Sequence, residues 1–322
     1  MIQQKSKNNF LRKKSKVLLG LCLSLTPVMT SCSSSVSESQ DYHAFRKLQK
    51  SHTVKDGHIS YLDKGKGEAI LLLHGVPSSG WLYRKMVDGL VEKGYRVIVP
   101  DMLGYGSSAN PKGYEIYSPE QQAKRLVSLM DSLGIKKWNH VFHDVGGTWT
   151  WELLRDNQHR VNKLVMLNSI ALADGFHPPV RMEEGVVAKT AMWGYRNGVT
   201  TDLLLDRLFE EGLKDPSKLT EADRAGYKIP LLEGKTKGMY YFFTQTCNNS
   251  PDYSDVIGKV RNPTAVIWGA HDTMLQWTPQ SEAMLNKLSV SKSDVHIIDA
   301  KHFIQEEQPD LINNYIVQFL QN

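Results

Sequence analysis

Cysteine is scarce: Cys22, Cys32 and Cys247 are the only three in 322 residues. So few thiols build no disulfide framework. No Cys/His grouping has metal-site spacing either, and no metal or organic cofactor is expected. Long apolar runs are also lacking. The one near the N-terminus, Val17 to Leu25, is too short for a comfortable membrane span. Charge of one sign does not accumulate. The formal charge is +5, but Lys5, Lys7, Arg12, Lys13, Lys14 and Lys16 all precede that run, and removing these six leaves −1. No basic face for nucleic acid is implied. There is no internal repeat, and the only low-complexity stretch is the serine-rich Ser33 to Gln40.

The first 31 residues combine those six bases, no acid, a short apolar core and small residues. This is the pattern of a cleaved secretory signal. Cys32, followed by Ser33-Ser34-Ser35, resembles the lipidation point of a bacterial lipoprotein. The expectation is an exported protein, on the periplasmic or cell-surface side, held to a membrane by lipid on Cys32. Residues 32–48 are expected to be a flexible tether. About 280 residues remain, enough for one large core with an inserted subdomain.

The rest alternates strand and helix patterns. A hairpin is expected around Asp56-Gly57, from His52 to Leu62. Ala69 to Leu73 is a continuous apolar run, suited to a strand buried on both faces. Helical spacing follows from Leu82 to Glu92, then a strand at Tyr95 to Val99. Ser118 caps a helix reaching Leu133, with Pro119 in its first turn. Further strands are expected at Trp138 to Val141, Lys163 to Leu167, Thr264 to Trp268 and Val295 to Ile298, and a closing helix at Leu311 to Leu320. Such alternation predicts a doubly wound, mostly parallel sheet, an α/β fold. Between Ser169 and Arg261 the spacing is helical, with turns at Pro178-Pro179 and Pro216. That stretch (169–261) reads as a helical cap inserted into a core of 49–168 and 262–322.

Phe142-His143-Asp144-Val145-Gly146 lies between a strand and a helix running from Gly147 to Asn157. Strand, sharp turn and helix form a nucleophile elbow, which thrusts its central side chain out above the sheet. Gly146 and Gly147 permit the close packing. Most elbows carry Ser; this one carries Asp144. A carboxylate is ionised near neutral pH and can displace a leaving group from a saturated carbon, leaving an ester on the enzyme. His302 follows the last strand, and Asp272, in Gly269-Ala270-His271-Asp272, follows the strand before it. The order nucleophile, acid, histidine suits His302 as general base and Asp272 as its orienting acid. Asn168 marks a second place for that acid but, as an amide, carries no charge. In His74-Gly75-Val76-Pro77, Pro77 has no N–H, so the Val76 and Val145 backbone N–H groups are the oxyanion donors expected. His74 and His143 read as structural and Cys247 as a packed or surface thiol; His271 has no role assigned.

On these residues the chain resembles α/β-hydrolases with an Asp nucleophile. It is most similar to haloalkane dehalogenases that keep their acid after the later strand, and next to epoxide hydrolases. The resemblance rests on His74-Gly75-Val76-Pro77, Leu82-Tyr83-Arg84-Lys85-Met86, Pro100 to Ser108, His143 to Gly147, Met166-Leu167-Asn168, Gly269 to Leu275 and His302 to Glu306. It implies a small apolar halogenated substrate, water as co-substrate and an alkyl-enzyme ester. Two departures stand out. Dehalogenases of this kind typically place Trp after the nucleophile to grip the halide, and here that residue is Val145. A second Trp often comes from the cap; Trp193 is there, but earlier than expected. The epoxide reading implies cap tyrosines as acids, with Tyr195, Tyr240 and Tyr241 the candidates. A third reading is a lipid-anchored binding protein whose hydrolase site has decayed.

Overall fold

A computed structural model describes residues 41–322 except 179, 250 and 251. The expected signal, Cys32 and most of the expected tether lie outside the described residues. The tether does not extend to residue 48. Residues 41–48 form a helix, α1, with Tyr42 and Phe45 buried. Both rings pack edge-on against Trp81, 5.3 and 5.2 Å between centroids. Two aromatics three residues apart share one helix face, and burying that face outweighs the polarity of the segment around them.

Eight strands form one sheet in the order β1-β2-β4-β3-β5-β6-β7-β8. The hairpin β1 (Lys50–Val54) and β2 (Gly57–Gly65) joins antiparallel at the β4 edge. β3 (Ala69–Leu73), β4 (Arg96–Pro100), β5 (Trp138–Asp144), β6 (Val161–Ser169), β7 (Thr264–Gly269) and β8 (Val295–Ile298) run parallel. Every residue of β3 and β5 is buried; β3 is continuously apolar, as suits the middle of a covered parallel sheet, while β5 buries Asn139, His140, His143 and Asp144 as well. Helices α2 (Arg84–Glu92), α3 (Pro119–Ser132) and α4 (Gly146–Asn157) cover it. Ser118 caps α3 by accepting from the Gln121 N–H. α2 starts later than the spacing implies, because Gly80–Tyr83 form a 3-10 turn first.

Between β6 and β7 the chain makes α5 (Val186–Arg196), α6 (Thr201–Gly212), α7 (Glu221–Leu232), α8 (Lys237–Tyr241), α9 (Cys247–Asn249) and α10 (Ser254–Ile257). A single π turn, Phe242–Thr246, joins α8 to α9. After β7 come α11 (Trp277–Leu288), α12 (Ile304–Glu307) and α13 (Pro309–Gln321). α11 has extended backbone at Thr278 (φ −83°, ψ 125°). The functional loops all leave carboxyl ends of the parallel strands, the edge where this architecture binds ligands.

Candidate active site

β5 ends in a turn that strains its last residue. Asp144 has φ 53°, a region L-residues with a Cβ rarely occupy. The surroundings hold it there. The Asp144 carbonyl accepts from the Ile170 N–H at 3.0 Å and the Ser169 hydroxyl at 2.8 Å. Two glycines make room: a Cβ on Gly75 would lie 2.2 Å from Asp144 Oδ1, and one on Gly147 would lie 2.3 Å from the Ile170 carbonyl. α4 begins at once, with Val145 before its first residue.

The Asp144 carboxylate is buried and held at one end. Oδ1 accepts from the Val76 N–H at 2.7 Å. Oδ2 faces His302 Nε2 at 3.6 Å. Burial pushes this carboxyl above the usual carboxylate range, against the His302 charge and the Val145 and Val76 N–H groups, which pull it down. His302 Nδ1 donates to Asp272 Oδ2 at 2.8 Å, which leaves Nε2 free to take a proton. Burial lowers the His302 pKa, but the Asp272 and Asp144 charges more than offset it, and the group ends above the usual histidine value.

Asp272 is buried too, yet its pKa is lowered. Burial raises it, and the His302 charge and hydrogen bond, with Asn168 and Leu275, outweigh that. Its Oδ1 accepts from the Met274 and Leu275 N–H groups at 2.9 and 3.0 Å. Asn168 is the residue whose role the sequence did not reveal. Its amide donates to Asp272 Oδ2 at 2.6 Å while its carbonyl accepts from the Gly269 N–H at 2.9 Å. The amide thus stabilises the negative charge it does not itself carry. Asn168→Ala removes both partners from buried groups and is expected to cost about 1.5–3 kcal/mol of folding stability. Urea denaturation would check this; an unchanged midpoint would mean that water replaces the amide.

The other histidines divide as follows. His74 is buried, its pKa lowered to about 4 by burial. It braces the loop through the Gly75 carbonyl (2.7 Å) and the Met102 N–H (2.9 Å). His143 Nε2 donates to the His302 carbonyl at 3.0 Å, holding that loop from below. His271 is exposed and meets Asp299 at 2.8 Å. Cys247 is a packed thiol, with burial raising its pKa to about 12.

Above Asp144 and His302 lies a narrow cavity of about 80 Å³. Apart from those two, Arg207 and Glu211, its lining is apolar, including Val76, Phe176, Leu204, Met239, Phe242 and Leu275. Four expected substrate contacts do not line it. Trp193 is 54 % exposed on the outside of α5. Tyr240 borders a different cleft, beside Trp193, and Tyr241 lies tilted against Tyr114, 5.1 Å between centroids. Tyr195 packs against the core. The aromatic run 240–243 divides by helical direction, so that Phe242 and Phe243 reach the cavity and the two tyrosines turn away.

A buried ionic cluster ties the cap to the His302 loop. Arg84 grips Glu306 with both terminal nitrogens, at 2.6 and 2.8 Å, and also binds Asp223 of α7. Tyr227 of α7 donates to the same Glu306 at 2.6 Å. The Phe303 N–H donates to the Gly212 carbonyl at the end of α6 (3.0 Å). The cap's position and that of His302 are therefore set together.

A family model described as alpha/beta hydrolase fold matches residues 68–309. The AB hydrolase superfamily protein YfhM of Bacillus subtilis is 25 % identical, over 82 % of this chain and 94 % of its own. The haloalkane dehalogenase of Mycolicibacterium paratuberculosis is 26 % identical, over 79 % of this chain and 84 % of its own. Among solved structures, epoxide hydrolase VrEH1 from Vigna radiata superposes with a TM-score of 0.69 at 20 % identity, over 85 % of this chain and 98 % of its own.

Proposed function

We propose a function from one premise: the chain belongs to the alpha/beta hydrolase fold family. It is a hydrolase, and we propose that it hydrolyses a small apolar halogenated alkane through an ester on Asp144. The observation that carries it is the carboxylate at the elbow, one oxygen held by the Val76 N–H at 2.7 Å and the other open toward His302. Oδ2 attacks the carbon bearing the halogen, the C–X bond breaks, and the halide leaves with the bonding pair. His302 Nε2 then takes a proton from water, whose oxygen adds to the Asp144 carbonyl carbon. The negative charge that develops on Oδ1 meets the Val76 and Val145 N–H groups. Collapse expels the alkoxide, which takes the proton back from His302, and a second proton leaves the regenerated carboxylic acid for solvent.

The apolar cavity wall suits an alkyl chain, and a relative of similar length is named a haloalkane dehalogenase. Among the described residues no tyrosine lines the cavity to protonate an epoxide. No tryptophan among them lines it either, and the arginine in the lining, Arg207, pairs with Glu211 at 2.9 Å. The purified protein is expected to release bromide from bromobutane and to leave butene oxide intact. Diol from the epoxide without bromide release would transfer the reading to epoxide hydrolysis. Neither product from the folded protein would sink both.

A further inference from the structure

The cap's outer surface has features the catalytic cavity does not use. Six of the eight large apolar side chains exposed among the described residues lie in the cap: Val186, Val187, Trp193, Val199, Leu203 and Leu232. On α5, Val186 and Trp193 are seven residues apart and share one stripe, while Lys189 and Arg196, also seven apart, share the next. Beside this face opens a cleft of about 600 Å³, bordered by Lys112, Lys189, Trp193, Arg196 and Lys237.

These four cations face few acids. Glu233 borders the cleft but pairs with Arg46 at 2.6 Å, and Glu184 accepts from Gln245 at 2.6 Å. Lys237 donates to the Asn110 carbonyl at 2.8 Å. Its pKa is lowered by burial and by repulsion from Lys112 and Arg196. A helix face carrying Trp and Val beside Lys and Arg has the composition of an interfacial surface: the apolar groups enter the headgroup boundary and the cations meet phosphates. The chain also enters the described fold on this side, since Arg46 of α1 reaches the cleft residue Glu233.

We propose that the outward face of α5, with the basic cleft beside it, docks on a bilayer containing anionic phospholipid. Val186 and Trp193 lie at the headgroup level, and Lys112, Lys189, Arg196 and Lys237 meet lipid phosphates. Leu203 is 70 % exposed on α6, the helix that also gives Leu204, Arg207 and Leu208 to the catalytic cavity. Docking would bring that cavity close to the acyl-chain boundary, where apolar compounds concentrate.

The test uses the full chain and vesicles with brominated acyl chains, of phosphatidylcholine alone or mixed equally with phosphatidylglycerol. Tryptophan fluorescence should be quenched on the anionic vesicles, and Trp193→Phe should remove the larger part of that quenching. Lys189→Glu with Arg196→Glu should weaken partitioning at least tenfold, since each basic residue at an anionic surface contributes roughly fivefold. All variants share the N-terminus, so any attachment there is common to them. Circular dichroism confirms that they fold. Equal quenching in Trp193→Phe, or unchanged partitioning of the double reversal, would overturn the proposal.

Discussion

His302→Gln is expected to stop the reaction halfway, with the substrate's alkyl group left as an ester on Asp144. The first step needs only an ionised Asp144 and a leaving group. The second needs a base 3.6 Å from the nucleophile's outer oxygen, and His302 Nε2 is the group in that place. Loss of a positioned general base costs on the order of 10²–10⁴ in rate, which falls entirely on the second step. Mass spectrometry of the peptide containing Asp144 should show the added alkyl mass in stoichiometric yield, while steady turnover is lost. The pH dependence has a defined sign. In the free protein burial lowers the His302 pKa, and the Asp272 and Asp144 charges raise it above its usual value. Once Asp144 is esterified its charge is gone, so the His302 pKa falls and the imidazole becomes the free base that hydrolysis requires. Lowering the pH protonates it again. Rapid-quench samples of the wild type should therefore hold more ester at pH 5 than at pH 8. A peptide without adduct in His302→Gln, under conditions where the wild type turns over, would rule out the covalent route.

Asp144→Asn is expected to lower turnover by about 10⁴ or more, since a nucleophile acting with its base as one unit is lost in full when either is removed. The neutral amide keeps the size of the side chain but has no anionic oxygen to offer carbon. Isotope transfer separates this from direct attack by water. If Oδ2 forms the bond to carbon, it departs with the product, and water restores the carboxylate. In heavy-oxygen water the first product molecule should carry ordinary oxygen while the Asp144 peptide gains one heavy atom. Heavy oxygen in the first-turnover product would mean that Asp144 is a general base and not a nucleophile.

Much of this site is legible along the chain because its parts are local. The elbow needs a strand end, a residue driven to positive φ and glycines beside it, and all lie within 138–147. The placing of Asp272 and His302 after β7 and β8 follows from strand runs that can be read directly, as does the mostly parallel order of the sheet. Other features are contacts between distant residues that periodicity does not encode. The pairing of Arg84 with Glu306 and Asp223 joins two motifs recognisable separately but not as partners. Asn168, set aside for want of charge, works through an acid 104 positions away.

Fold class and the chain positions of Asp144, Asp272 and His302 at strand ends were thus determined by the sequence itself, since backbone propensity, strand burial and turn chemistry act over a few residues. Tertiary structure alone decided what the nucleophile faces. It turned Trp193 outward and drew Tyr195, Tyr240 and Tyr241 away from the cavity, leaving Phe242, Phe243 and Leu204 in the wall around Asp144. It also decided that α1 is a packed helix, because the surface that buries Tyr42 and Phe45 is supplied by Trp81. The direction of a cap side chain depends on how several short helices pack against a sheet formed elsewhere in the chain, and that packing energy is not local.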